Sequence, residues 1–169
     1  MPKNNKGITL LILSITIIVI FIIAAVSFDT GYTVLRNAGV GRTISNMKLI
    51  QIKVEDIAED AEFTDDAQRL VGLKNSEAEP YTLSEVDDEL GNVNLSSQIE
   101  NNVEDAGYWY KWDASTLQSQ GLDTKILKQG GCFFVNYDTY EVIYSEGETI
   151  DNVHYYYSLT AIEEAFLND

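Results

Sequence analysis

The side chains that could do chemistry in this chain are few and scattered. Cys132 is the only cysteine and His154 the only histidine, so any serine, threonine or cysteine nucleophile would have to share one imidazole as its base. No second histidine or cysteine can complete a tetrahedral transition-metal site. Cys132 stands directly before the apolar run 133–135 and reads as a buried structural thiol; alone, it cannot form a disulfide within the chain. His154 lies in a strand-like aromatic run and reads as a surface or packed strand residue. Gly130-Gly131 is not followed by the lysine–hydroxyl pair of a phosphate-binding loop. The acidic clusters Asp65-Asp66, Asp87-Asp88-Glu89 and 146–151 lack the alternating carboxylates and central glycine of a calcium-binding helix–loop–helix. They read as solvated faces and helix N-terminal acids, leaving room only for an adventitious calcium ion in the 147–152 loop. No catalytic residue, metal ligand or cofactor follows from these patterns, and no enzymatic activity is expected.

Charge is divided unevenly along the 169 residues. Residues 1–53 hold six basic side chains against Asp29 alone, a net +5, while residues 54–169 hold five against twenty-six acids, a net −21. A domain so acidic repels phosphate backbones, so direct nucleic-acid binding is not expected. Its length allows one small domain outside the apolar N-terminal region.

That region is the strongest feature of the sequence. From Ile8 to Val26 nineteen residues carry no charge, proline or glycine, and as a helix they span ~28 Å, about a bilayer's hydrocarbon core. Lys3 and Lys6 precede the run and Asp29 is the first charge after it, which places the N-terminus in the cytoplasm and the acidic domain outside. An ordinary secretory signal would have a shorter apolar region and an A-x-A-like exit, which Ala24-Ala25 imitates only weakly.

Downstream, Gly31, Gly39 and Gly41 each cost a helix ~1 kcal/mol relative to alanine, so a bend or break would fall near 37–41. The helical period then returns: Val40, Ile44, Met47, Ile50, Val54, Ile57 and Ala61 form one apolar stripe. Residues 69–73 suggest a short helical turn. Tyr81-Thr82 and Tyr157-Ser158 each place a capping hydroxyl before a short helix with early acids, and Phe166 and Leu167 of the second are expected to pack inward. Strands are expected at 108–112, 132–137, 140–144 and 154–157, the middle pair joined by a tight Asp138-Thr139 turn. Asp113 caps a helix over 114–120 that Gly121 stops. Ten tyrosines and two tryptophans read mainly as core filling for a small sheet without disulfides. The predicted class is α+β: a long N-terminal helix, transmembrane in its first half and amphipathic in its second, packed on a small antiparallel sheet of three to four strands with short peripheral helices. Its divisions are a leader at 1–7, an apolar helix at 8–28, a stalk helix at 29–63 and an acidic domain at 64–169.

Lys6-Gly7 followed by Ile8-Thr9-Leu10-Leu11 and an unbroken apolar helix resembles the N-terminus of type IV pilins and pseudopilins. The KGITLL form is most similar to pilin-like proteins of Gram-positive, clostridia-like bacteria, and residues 134–142, FVNYDTYEV, are similar to a late hairpin common among them. The resemblance implies cleavage by a prepilin peptidase between Gly7 and Ile8, methylation of the Ile8 amine, and assembly with other pilin-like subunits through the N-terminal helix, Leu10 and Leu11 included. It also implies residence in the cytoplasmic membrane as a single pass with the C-terminus outside, before transfer into a surface or envelope-spanning filament. One position departs from the family: the usual glutamate at the fifth mature position is Ile12. A buried amine without its carboxylate costs several kcal/mol if fully desolvated, on the order set by buried ion pairs. A filament tip, a different register and no polymerisation all remain open, and Ile12 favours a minor pilin or pseudopilin over a major one. The rival reading is a bitopic, membrane-anchored extracellular protein whose acidic domain binds a ligand or partner without polymerising.

Overall fold

The computed structural model describes residues 6–76, 79–99, 107–128, 130–150 and 154–168, with the side chains of the first helix described at 13–21 and from 35 onward. That helix, α1, spans Lys6–Thr64 and is assigned without interruption through Gly31, Gly39 and Gly41. Glycine's cost is local, about 1 kcal/mol at each position, and nothing lies within 4 Å of the Cβ position at Gly39 or Gly41. The chain divides into two compact units between Gly39 and Val40.

In the second unit the stripe read from periodicity is the buried face of α1. Val40, Met47, Ile50, Val54, Ile57 and Ala61 are buried, and Ile44 packs against them partly covered. The helix ends where Asp65 adopts a left-handed conformation (φ 51°); its N–H donates to Glu62 O at 3.1 Å and the Asp66 N–H to Ala61 O at 3.0 Å. These bonds satisfy carbonyls that a helix end otherwise leaves open.

The sheet has four antiparallel strands in sequence order, β1 (Trp109–Trp112), β2 (Phe133–Asn136), β3 (Val142–Thr149) and β4 (Tyr155–Ser158). Three short helices accompany it: α2 (Leu83–Glu89), α3 (Ala114–Ser119) and α4 (Leu159–Asn168). The strand period of two sends alternate side chains to opposite faces. Tyr110, Trp112, Phe133, Val135, Val142 and Tyr144 meet the α1 stripe, Leu117 of α3 and Ile162 of α4. Trp109, Phe134 and Ile143 face the other way, against Val86 of α2, Leu95 and Ile99. This unit therefore has two cores, one on each side of the sheet; of the aromatics expected as core, Trp109, Trp112, Tyr110, Tyr137 and Tyr144 are buried, while Tyr108 and Tyr155 are each 58% exposed.

The expected caps form. Thr82 Oγ1 accepts from the Glu85 N–H while the Glu85 carboxylate accepts from the Thr82 N–H, and Asp113 accepts from the Thr116 N–H at 2.8 Å. Ser158 Oγ accepts from the Ala161 N–H at 3.1 Å at the start of α4.

Several expectations are corrected. Five residues, 137–141, connect β2 to β3, and the Asn136 N–H donates to Glu141 O at 3.0 Å to close a loop over 137–140 in place of a two-residue turn. The Asn136 side chain accepts from the Asp138 and Thr139 N–H groups at 2.8 and 2.9 Å, and Tyr140 turns left-handed at φ 59°. β3 runs on to Thr149 because its pairing with β4 shifts between Ile143 and Glu148. Gly147 makes that bulge (φ 61°), and a Cβ there would lie 3.1 Å from the Tyr156 carbonyl oxygen. The turn expected at 69–73 is a 3-10 turn at Ala67–Arg69. Leu70 is extended (φ −63°, ψ 127°), the chain bends at Gly72 (φ 130°), and Leu73 bridges to Lys111. Leu167 is 83% exposed, since only Phe166 of that pair reaches the core.

Both sheet edges are covered. Leu73 and Tyr81 each exchange two backbone hydrogen bonds with β1 at 2.8–2.9 Å. On β4 a single side chain stands in for a strand: Gln98 Oε1 accepts from the Tyr157 N–H at 2.8 Å and Gln98 Nε2 donates to Tyr155 O at 3.4 Å. An edge so occupied is a poor template for strand addition.

Candidate functional site

Gly7, Ile8, Leu10, Leu11 and Ile12 all fall within α1, and their side chains lie outside the described residues. Nine side chains of the apolar run, 13–21, are described and all are exposed. Leu13, Ile15, Ile17, Ile18, Val19, Ile20 and Phe21 are 43–70% accessible. Consecutive helical residues point in every direction, so apart from the hydroxyls of Ser14 and Thr16 this segment is apolar all round and uncovered, a surface that water solvates poorly. Among the described residues no helix is long and apolar enough to cross a membrane; those nine residues are about half of the nineteen in the run.

The side chains singled out as chemically capable do not assemble. Cys132 is buried at the entry to β2, and its N–H donates to Ser145 Oγ at 2.8 Å. Burial pushes its thiol up, against a smaller opposing effect of the Ser145 hydrogen bond, so it is held as a thiol rather than as a nucleophilic thiolate. His154 is exposed just before β4, its ring 6.5 Å from that of Tyr156. No group of three or more His, Cys, Asp or Glu among the described residues could hold a metal ion, and positions 151–153 of the acidic loop lie outside them. Most described acids have local work. Asp66 and Asp123 accept from backbone N–H groups at the starts of 3-10 turns. Asp87 accepts from the Leu95 N–H at 2.9 Å. Glu89 pairs with Lys111, whose ammonium lies 5.8 Å from the centre of the Phe134 ring. Burial pulls Lys111 down, but the Glu89 hydrogen bond and charge outweigh it, and its affinity for a proton is raised.

One functional-looking group escaped the sequence reading. Glu141 is buried beside the start of α4, its carboxylate accepting from Thr160 Oγ1 at 2.6 Å and from the Thr160 N–H at 3.2 Å. Its position in the strand-like run YEVIY, where one face must be buried, was the available signal. Burial raises its pKa above the usual carboxylate value, and the Thr160 bonds oppose that only in part. Because the folded value is raised, this group's stabilising contribution is complete below its unfolded pKa and is lost as pH rises through the folded one. Glu85 and Asp113, held low chiefly by backbone hydrogen bonds from Thr82 and Thr116, act in the opposite sense and lose stability as the solution is acidified. We expect Glu141→Gln to gain stability relative to wild type as pH is raised from about 4 to 7, the window above an ordinary glutamate pKa. Melting curves of both chains across that range check it; a difference that stays constant with pH would refute the assignment.

Among the grooves between described residues, two are open and of about 460 Å³ each. One is lined by residues of α4 with Gln98 and Ile150, the other by the end of α1, Asp65, Asp66 and the 137–140 loop. Neither is lined by Cys132 or His154. No protein family, no curated protein and no solved structure matches this chain.

Proposed function

We propose that this protein is a structural subunit, a minor pilin or pseudopilin of a type IV pilus-like, competence or secretion filament, and that it has no catalytic activity. The observation that carries this reading is the head of α1: a lysine–glycine pair followed by nineteen uncharged residues, all-round apolar and uncovered where side chains are described. The same helix goes on to bury a separate stripe on an antiparallel sheet. A helix of this composition exchanges lipid neighbours for copies of itself with little change in exposed apolar surface, so it can serve first as a membrane anchor and then as filament core. The partners are the prepilin peptidase, other pilin-like subunits and, before assembly, the cytoplasmic membrane, with the acidic domain outside the cell. Mass spectrometry of the mature N-terminus tests the reading. A methylated Ile8 is expected; an intact Met1 or a start after Ala25 would overturn it.

Ile12 favours a second reading, in which the same anchor holds the acidic domain outside the cell as a bitopic protein that never polymerises. An apolar side chain there removes the carboxylate that would pair with a neighbour's N-terminal amine in a shaft. A subunit at a filament tip needs no such partner, so the absence is compatible with a minor pilin.

A further inference from the structure

Opposite its buried stripe, α1 in the second unit presents Arg42, Leu49, Asp56 and Phe63, every one exposed. Seven residues separate each from the next, and a seven-residue step drifts only ~20° around a helix, so the four share one face. Leu49 is 55% and Phe63 91% exposed, and Ile52, 62% exposed, flanks them. The face therefore reads cation, apolar, anion, apolar. Arg42 has no ion-pair partner among the described residues. Asp56 meets Lys53 through one oxygen at 2.8 Å, an exposed pair too weak to compete strongly for it.

We propose that this face docks a second copy of the chain, parallel to the first and displaced by fourteen residues, about 21 Å along the helix. The inference rests on the filament reading above, because insertion through the same N-terminal anchor makes neighbouring copies parallel. The fourteen-residue shift sets Arg42 of one copy beside Asp56 of the other, and Leu49 beside Phe63. With no shift, Arg42 would meet Arg42 and Asp56 would meet Asp56, and like charges repel. A shift of seven sets Arg42 on Leu49 and Leu49 on Asp56, leaving both charges opposite apolar groups. Only the fourteen-residue shift matches both the charges and the apolar contacts. Such a contact joins different parts of the same face on the two copies, so it is heterologous and leaves each copy able to take a further neighbour. It would fix the register that Ile12, lacking a carboxylate, cannot fix through the N-terminal amine.

The test uses the full chain in the membranes of a host that processes it. Two chains, Leu49→Cys and Phe63→Cys, carry different tags and are expressed singly and together, then treated with a mild oxidant. Both positions are exposed, so the substitutions do not threaten the fold, and Cys132 is buried away from the reaction. Coexpression is expected to give a 49–63 crosslinked dimer, while Leu49→Cys alone gives none. Arg42→Glu should cut the crosslinked fraction about tenfold, by turning an attraction into a repulsion, and adding Asp56→Arg should restore it. A 49–49 crosslink, from in-register or antiparallel pairing, overturns the proposal, as does an Arg42→Glu chain that crosslinks normally. The N-terminal mass read from the same membranes separates the two ideas: no 49–63 crosslink with a methylated Ile8 overturns the register alone, and no crosslink with an intact Met1 overturns both.

Discussion

Replacing Trp112 by alanine is expected to destabilise the second unit by about 4 kcal/mol, as for other fully buried aromatic truncations. Trp112 has no exposed surface and stands on β1 in the core beneath the α1 stripe. Its indole also ties a separate segment to the sheet, since Nε1 donates to Val71 O at 2.9 Å. Tyr137 grips the same residue from β2's end: its hydroxyl donates to Val71 O at 2.8 Å and accepts from the Val71 N–H at 3.1 Å. Burial pushes the Tyr137 phenol up to about 12, so this clamp holds through neutral pH. Next to it Gly72 adopts φ +130°, and a Cβ there would come within 2.8 Å of Tyr110 Cβ and 3.0 Å of Trp112 Cδ1, so the segment packs directly against both residues. Alanine therefore leaves a cavity and one fewer donor at Val71 O. Trp112→Phe keeps most of the apolar contact and loses the donor, for which about 1–1.5 kcal/mol is the expected cost. Thermal melting separates the two: roughly 15 °C lower for alanine and about 5 °C for phenylalanine, given the size of the unit. An alanine variant within about 1 kcal/mol of wild type, a typical surface-like cost, would mean that Trp112 does not anchor this core.

What the sequence revealed and what it hid follow from how local each signal is. The α1 stripe was legible because burial repeats at the helical period over seven positions from Val40 to Ala61. The strands were legible from runs of aromatic and β-branched residues, and the caps at Thr82, Asp113 and Ser158 because each capping oxygen and the N–H that donates to it lie within three residues. The 137–140 loop was not, because it depends on the Asn136 amide oxygen taking two N–H groups and on a left-handed Tyr140, a conformation that a tyrosine does not advertise. Gln98 was equally silent. Its partner strand lies nearly sixty residues away, and nothing local distinguishes a glutamine that completes a sheet edge from one in water.

The candidate site divides along the same line. On the filament reading proposed above, Gly7, Ile8 and Ile12 are legible in the sequence because a peptidase would read adjacent residues and an N-terminal amine would need a carboxylate at a fixed spacing. The Arg42–Leu49–Asp56–Phe63 face was masked by the stronger stripe on the same helix. A seven-residue step and a 3.6-residue period share so many positions that exposure, not spacing, tells the two faces apart.

On the filament reading, replacing Gly7 by leucine is expected to abolish maturation, and assembly with it, while leaving membrane insertion and the fold of the second unit intact. Gly7 is the second residue of α1, and leucine favours a helix over glycine by roughly 0.8 kcal/mol, so the helix gains and a loss of processing cannot be blamed on its melting. In both proposed readings membrane insertion would depend on the nineteen-residue run and on Lys3 and Lys6, none of which changes. The second unit starts at Val40 and should keep its melting temperature. A peptidase that must bring the Gly7–Ile8 bond to its catalytic groups needs close approach to the backbone, which glycine permits and a branched side chain obstructs. The variant should therefore sit in the membrane with its leader attached, without the methyl group on Ile8 and absent from any sheared filament fraction. The bitopic reading gives the opposite forecast, since a protein that is never cut cannot respond to a change at the cut. If the N-terminal peptide has the same mass before and after substitution, apart from the leucine itself, the filament reading fails and the anchor alone remains.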